Sequence, residues 1–275
     1  MEPVVTIDRL QSGPPALVAD LRWYLDGRPG RSAYEAGHIP GAVYVELEHD
    51  LARHDLPATE GRHPFPSPQA FAVAMSRLGI GDDVPVVAYD DSGGGTAARL
   101  VWMLRILGHD AALLDGGLRA WTDELETGPG PTPSPARFTP RPWPLERFAT
   151  ADEVRHLAQT PGAVVFDARA PERYRGEVEP VDPRAGHVPG ARNVPWSANL
   201  DEATGRFRSP AALAGEYAAA GAAGAHTIVC YCGSGVSACA DLLGLERAGF
   251  TGVRLFVASW SGWSNDPERE IATDG

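Results

Sequence analysis

Thr227-Ile228-Val229-Cys230-Tyr231-Cys232-Gly233-Ser234-Gly235-Val236-Ser237 is the stretch that organises the chain. It opens as a short β-rich run with no polar alternation, which suits a central strand of a parallel sheet covered on both faces. It then breaks into a loop of small residues, and Val236 to Ala248 continues as a helix. The same order occurs once more. Val86-Val87-Ala88-Tyr89-Asp90 matches Ile228-Val229-Cys230-Tyr231-Cys232, and Ala97 to Leu107 follows as its helix.

Working outward, other pieces also come in pairs. Leu17-Val18-Ala19-Asp20 precedes Gly37-His38-Ile39-Pro40-Gly41-Ala42, and Val164-Val165-Phe166-Asp167 precedes Gly186-His187-Val188-Pro189-Gly190-Ala191. Trp121 and Trp263 close the two copies. The offset stays near 142 to 149 residues, a period that means a duplicated domain rather than a solenoid. Each copy alternates apolar strands with amphipathic helices, the pattern of an α/β fold. Ser67-Pro68 and Ser209-Pro210 are helix starts, a capping residue with proline at the first helical position. Thr150 and Glu153 have the spacing of a capping box. Between the copies runs Gly128-Pro129-Gly130-Pro131-Thr132-Pro133-Ser134-Pro135, continuing to Pro144. That proline density favours an extended, semi-rigid strap. The expected division is residues 1–126, a linker at 127–147, and residues 148–275.

The chain of 275 residues is 43% hydrophobic and 22% charged, values of a soluble globular protein. No apolar run reaches the roughly 20 residues of a membrane span, and Met1-Glu2-Pro3-Val4-Val5 does not read as a secretory signal. The cytoplasm is the expected location. A net charge of -12 argues against nucleic acid as a partner and leaves room for a small anionic substrate met by a local positive field. Cys230, Cys232 and Cys239 are the 3 cysteines. An odd, clustered set reads as thiol chemistry rather than a disulfide framework. Without a second Cys or His pair at zinc spacing, no metal site is expected.

Cys232 falls at the C-terminal end of a buried strand, the edge where open α/β sheets bind ligands. Gly233 and Gly235 let the backbone turn several N–H groups toward one point, and the following helix adds its positive N-terminal end. Those donors stabilise a thiolate or a persulfide anion. Cys230 reads instead as a buried structural thiol. Cys239, about two helical turns beyond Cys232, reads as a helix-core residue, with a regulatory disulfide to Cys232 as the other reading.

On these residues the chain resembles the two-domain rhodanese-like sulfurtransferases, which include thiosulfate and 3-mercaptopyruvate sulfurtransferases. The likeness covers both halves: the paired Gly-His-Ile/Val-Pro-Gly-Ala segments, Asp167-Ala168-Arg169, Arg173-Tyr174-Arg175-Gly176, the Cys232 loop and Trp260-Ser261-Gly262-Trp263. It implies two tandem rhodanese-like domains, each a mostly parallel central sheet flanked by helices. The first would be non-catalytic, consistent with Asp90 where the second has Cys232. The loop resembles that of the mercaptopyruvate enzymes, Cys-Gly-Ser-Gly-Val-Thr, with Ser237 keeping the hydroxyl. Residues 233–237 carry no Lys or Arg, whereas the thiosulfate enzymes place two basic residues after the cysteine. The expected donor is therefore 3-mercaptopyruvate, with thiosulfate as the alternative.

The resemblance also implies a cast of residues. Cys232 would carry the sulfur. Gly233, Gly235, Val236 and Ser237 would form the binding loop. Arg173 would hold the substrate carboxylate, a task suited to a bidentate guanidinium. A second arginine is expected before Gly186; the spacing departs here, and Arg184 is the candidate. The mercaptopyruvate enzymes are also credited with a Ser–His–Asp relay, which matches Ser234, His38 and Asp20. His187 occupies the same motif in the other copy, so the motif can equally be a structural turn in both. No cofactor is implied beyond the covalent persulfide. The expected acceptor is a small thiol or a thioredoxin-like reductant, with no membrane and no nucleic acid involved. Two rivals are weaker. A cysteine phosphatase needs arginine six residues after the cysteine, where Ala238 stands, and a non-catalytic binding module does not account for the intact loop.

Overall fold

The computed structural model describes residues 1–274. It divides into two compact units, and the division is not the one expected. The first comprises Met1–Ala52, Phe65–Pro144 and Asp201–Phe207; the second comprises Arg53–Pro64, Leu145–Leu200 and Arg208–Gly275. Two short segments thus belong to the unit of the opposite half, and the proline-rich strap up to Pro144 belongs to the first unit. Nothing in local composition marks either exchange. The strap is tied down by paired hydrogen bonds: Ala136 N–H donates to Ser76 O at 3.0 Å and Ser76 Oγ donates back to Ala136 O, while Asp82 N–H donates to Arg137 O at 2.9 Å and its carboxylate accepts from Thr139 N–H and Oγ1 at 2.8 and 2.6 Å.

In the first unit five strands run parallel: β1 (Val4–Val5), β2 (Leu17–Asp20), β3 (Val43–Tyr44), β4 (Val86–Tyr89) and β5 (Ala111–Leu114), in the order β1-β5-β4-β2-β3. β4 is buried along its whole length, as its unbroken apolar run requires. The helix Pro68–Arg77 starts where Ser67 accepts a hydrogen bond from Ala70 N–H at 3.1 Å, the capping its sequence announced. Val87, Tyr89, Ala112, Leu114, Tyr34 and Ile39 pack into one core.

The second unit repeats the design with β6 (Ala163–Asp167), β7 (Arg192–Asn193), β8 (Thr227–Tyr231) and β9 (Val253–Leu255), ordered β7-β6-β8-β9 and all parallel. Phe148 adds a single parallel bridge to Leu255, standing where β1 stands in the first unit. The capping box of Thr150 and Glu153 and the Ser209 cap both form. Val165, Val229, Tyr231, Phe256, Trp260 and Trp263 form the core.

The duplication extends to single side chains. Asp20 takes the Arg22 guanidinium at 2.7 Å, and Asp167 takes Arg169 at 2.7 Å. Tyr89 Oη accepts from Ile39 N–H at 3.0 Å, and Tyr231 Oη accepts from Val188 N–H at 3.2 Å. Among the described residues no helix is long and apolar enough to cross a membrane.

Candidate active site

Cys232 follows β8 directly and begins the loop that leads into the helix Ala238–Arg247. The backbone is fixed from behind. Cys232 N–H donates to Ser259 Oγ at 3.2 Å, Trp260 N–H donates to Cys232 O at 3.0 Å, and Ser261 N–H donates to Gly233 O at 2.8 Å. Among the described residues Ser259, at φ 53, is the one non-glycine residue in the left-handed region, a sparsely populated conformation for a side chain. That kink starts the helix Ser259–Asn265 so that its first amides meet the carbonyls of the loop. Gly235, at φ 74, supplies the turn that a Cβ would strain. Among the described residues, the N–H groups of Gly233, Ser234, Val236 and Ser237 are donated to no protein acceptor. They form the kind of backbone nest that binds an anion.

The first unit shows what this loop shape holds. Asp90, at the equivalent position, fills its own loop with a carboxylate. One oxygen accepts from the N–H groups of Ser92 and Gly94 at 2.9 and 2.8 Å, the other from Thr96 and Ala97 at 2.8 and 2.9 Å. The loop of the first unit is an anion site occupied by its own side chain. In the second unit the same position carries a thiol, and the donors stay unspent.

Around the loop stand residues from the Arg53–Pro64 segment, which belongs to this unit. The segment docks by close backbone approach: a Cβ on Gly262 would come within 2.5 Å of Thr59 O, and one on Gly61 within 2.6 Å of Ala258 O. Arg62 N–H donates to Ser261 Oγ at 3.0 Å. The next residue, His63, is buried and places Nδ1 2.7 Å from Ser234 Oγ. Arg173, on the helix Pro171–Arg175, reaches Glu179 at 2.6 Å and Asp182 at 3.4 Å. Asp182 also pairs with Arg62. Burial pushes the Asp182 carboxyl above its ordinary range, and Arg62 only partly offsets it. Glu179 is buried too, but its hydrogen bonds from Arg173 and the Asp182 N–H outweigh desolvation and hold it below the usual range.

Two expectations need correction. The histidine beside Ser234 is His63, not His38. His38 and Asp20 lie in the first unit and have structural partners there. His38 stacks on Tyr34 at 3.9 Å with Nδ1 2.9 Å from Tyr34 O, and Asp20 is bound by the side chain and N–H of Arg22. His187 repeats the His38 arrangement on Tyr174, at 3.7 Å and 2.8 Å, so the motif is a structural turn in both copies. Arg184 is the second correction. Its guanidinium donates to the carbonyls of Trp263, Ser264, Asp266 and Arg269 at 2.5–3.1 Å, which commits it to fastening the C-terminal segment. Gly233, Ser234, Gly235 and Val236 line the loop buried, and Ser237 ends it half-buried.

Cys230 and Cys239 are buried free thiols. Burial, with Asp241 nearby, pushes the Cys230 thiol well above its ordinary range, so it stays protonated. Cys239 donates to Gly235 O at 3.5 Å and packs in the helix, the first of its two readings. Arg62, His63, Glu179 and Asp182 were not singled out in the sequence. They belong to no duplicated motif, and only the docking of residues 53–64 brings the first two to the loop.

The rhodanese-like domain model matches residues 6–124 and again 150–266. The chain belongs to the rhodanese-like family, as a tandem of two such domains. It is 41% identical, over 95% of its length and 94% of the relative's, to a Pseudomonas aeruginosa protein described as a probable 3-mercaptopyruvate sulfurtransferase. It is equally 41% identical, over 95% of its length and 92% of the relative's, to Mycobacterium tuberculosis SseB, provisionally named a thiosulfate sulfurtransferase. Among solved structures, Escherichia coli SseA, described as a 3-mercaptopyruvate sulfotransferase with the rhodanese fold, superposes with a TM-score of 0.81 at 31% identity. That match covers 94% of this chain and 99% of SseA.

Proposed function

We propose that this protein is a sulfurtransferase that takes sulfur from 3-mercaptopyruvate onto Cys232 and passes it to a thiol or to cyanide. The observation that carries the reading is Cys232 at the head of a loop whose N–H groups at 233, 234, 236 and 237 are unspent. Such donors stabilise the thiolate before transfer and the persulfide anion after it.

In the first step the Cys232 thiolate attacks the sulfur of 3-mercaptopyruvate. The S–S bond forms, the C–S bond breaks, and its electron pair leaves on carbon as the enolate of pyruvate. A proton delivered through Ser234 and His63, in hydrogen-bond reach at 2.7 Å, completes pyruvate. In the second step an acceptor thiolate or cyanide attacks the outer sulfur and Cys232 leaves as thiolate. Arg173 holds the donor's carboxylate. The cysteine is itself the carrier, so the cycle calls for no metal or organic cofactor. A small thiol or a thioredoxin-like reductant in the cytoplasm suits the second step, and the charge of -12 disfavours nucleic acid and acidic membrane surfaces.

Thiosulfate as main donor is the second reading. It is favoured by the name of the Mycobacterium tuberculosis relative. Steady-state turnover with each donor, using cyanide as acceptor, decides between them. A larger kcat/KM for 3-mercaptopyruvate is expected, with loss of all transfer in Cys232→Ser; a larger value for thiosulfate would reverse the assignment.

A further inference from the structure

A Cβ placed on Gly233, the residue after the sulfur carrier, would stand 3.1 Å from Arg62 Nη2 and 3.5 Å from Arg173 Nη1. These two nitrogens are not the ones spent on carboxylates: Arg62 uses Nη1 for Asp182, and Arg173 uses Nη2 for Glu179 and Asp182. Each guanidinium is therefore anchored through one nitrogen and brings another nearer to the loop, although the anchored Nη2 of Arg173 is also close, at 3.8 Å. The anchors are buried, with Asp182 and Glu179 side chains 2% and 3% exposed, while Arg62 keeps 29% of its side-chain surface. Ser261 ties the arrangement together, since it accepts from Arg62 N–H and donates to Gly233 O.

We infer that Arg62 is the second cationic clamp for the sulfur donor, in the role that Arg184 cannot fill, and that Asp182 sets the charge of donor the clamp accepts. The inference rests on the sulfur-transfer reading above and adds the residues that choose the donor. Arg62 and Arg173 present two N–H groups to one side of the loop, the arrangement that grips a planar carboxylate. Three guanidiniums share three carboxylates: Asp182 pairs with Arg62 and Arg173, Glu179 with Arg173 and, at 3.2 Å, with Arg169, and Asp167 with Arg169 at 2.7 Å. The clamp is thus cationic in geometry and neutral in sum. A single carboxylate, taking one N–H from each guanidinium, is well held. The second negative charge of thiosulfate finds no uncompensated cation and faces Asp182.

The test compares wild type, Arg62→Gln, Arg62→Lys and Asp182→Asn with 3-mercaptopyruvate and thiosulfate as donors and cyanide as acceptor. Persulfide formation on Cys232 in a single turnover at saturating donor checks that each variant is folded and competent. Arg62→Gln is expected to raise KM for 3-mercaptopyruvate about tenfold or more, with a smaller fall in kcat, because a charged hydrogen bond to bound substrate is lost. Arg62→Lys is expected to recover part of that loss. Asp182→Asn is expected to raise the ratio of thiosulfate to 3-mercaptopyruvate kcat/KM about tenfold, by uncovering cationic charge. An unchanged KM in Arg62→Gln, or an unchanged donor ratio in Asp182→Asn, overturns the inference while leaving sulfur transfer standing. Failure of the wild type to form a persulfide with either donor would instead remove the function on which the inference rests.

Discussion

His63 Nδ1 lies 2.7 Å from Ser234 Oγ, two residues beyond Cys232 in the same loop. A buried imidazole hydrogen-bonded to a serine hydroxyl can pass a proton to a leaving carbanion, and Arg62 beside it anchors the segment through Ser261. Replacing His63 by Ala is expected to lower kcat for 3-mercaptopyruvate by about 10²-fold or more, the range of general acid–base contributions. Replacing His38 by Ala should act differently. It removes the Tyr34 stack and the contact to Tyr34 O, so the expected loss is in melting temperature, with kcat in the folded protein much less affected. Paired kinetics and thermal melts separate the two histidines.

Asp90 predicts a stability effect from the same loop geometry. Its carboxylate satisfies four backbone N–H groups and the Ser92 hydroxyl. Asp90→Ala leaves those donors without their acceptor in a mostly buried loop, at a cost of about 3 kcal/mol or more. Urea unfolding should show a lower midpoint.

Arg184 makes the converse case of a residue whose charge suggests binding and whose contacts are structural. Four carbonyls near the C-terminus converge on its guanidinium. Arg184→Ala is expected to cost about 2–4 kcal/mol of stability. The KM for the donor should change much less than in Arg62→Gln; a rise of the same size would return Arg184 to the binding site.

The frame of the molecule was legible because it is local and repeated. β4 and β8 were readable as unbroken apolar runs, the helix starts at Ser67, Thr150 and Ser209 follow from capping chemistry, and Cys232 stands out against Asp90 once the two copies are aligned. The supporting residues were not legible, for a physical reason. His63 and Arg62 reach the loop through the packing of Gly61 and Gly262, a tertiary approach with no periodicity in sequence. His38 misled because its motif is built for a turn that stacks histidine on tyrosine in both copies. Arg184 misled because spacing before Gly186 does not reveal which carbonyls a guanidinium will meet.

The central claim is that Cys232 carries the sulfur. Intact-protein mass spectrometry before and after 3-mercaptopyruvate, with peptide mapping of the three cysteines, tests it most directly. The expected result is a gain of one sulfur on Cys232, absent in Cys232→Ser, with Cys230 and Cys239 left as thiols. No gain with either donor, or sulfur on Cys230 or Cys239 instead, would contradict it.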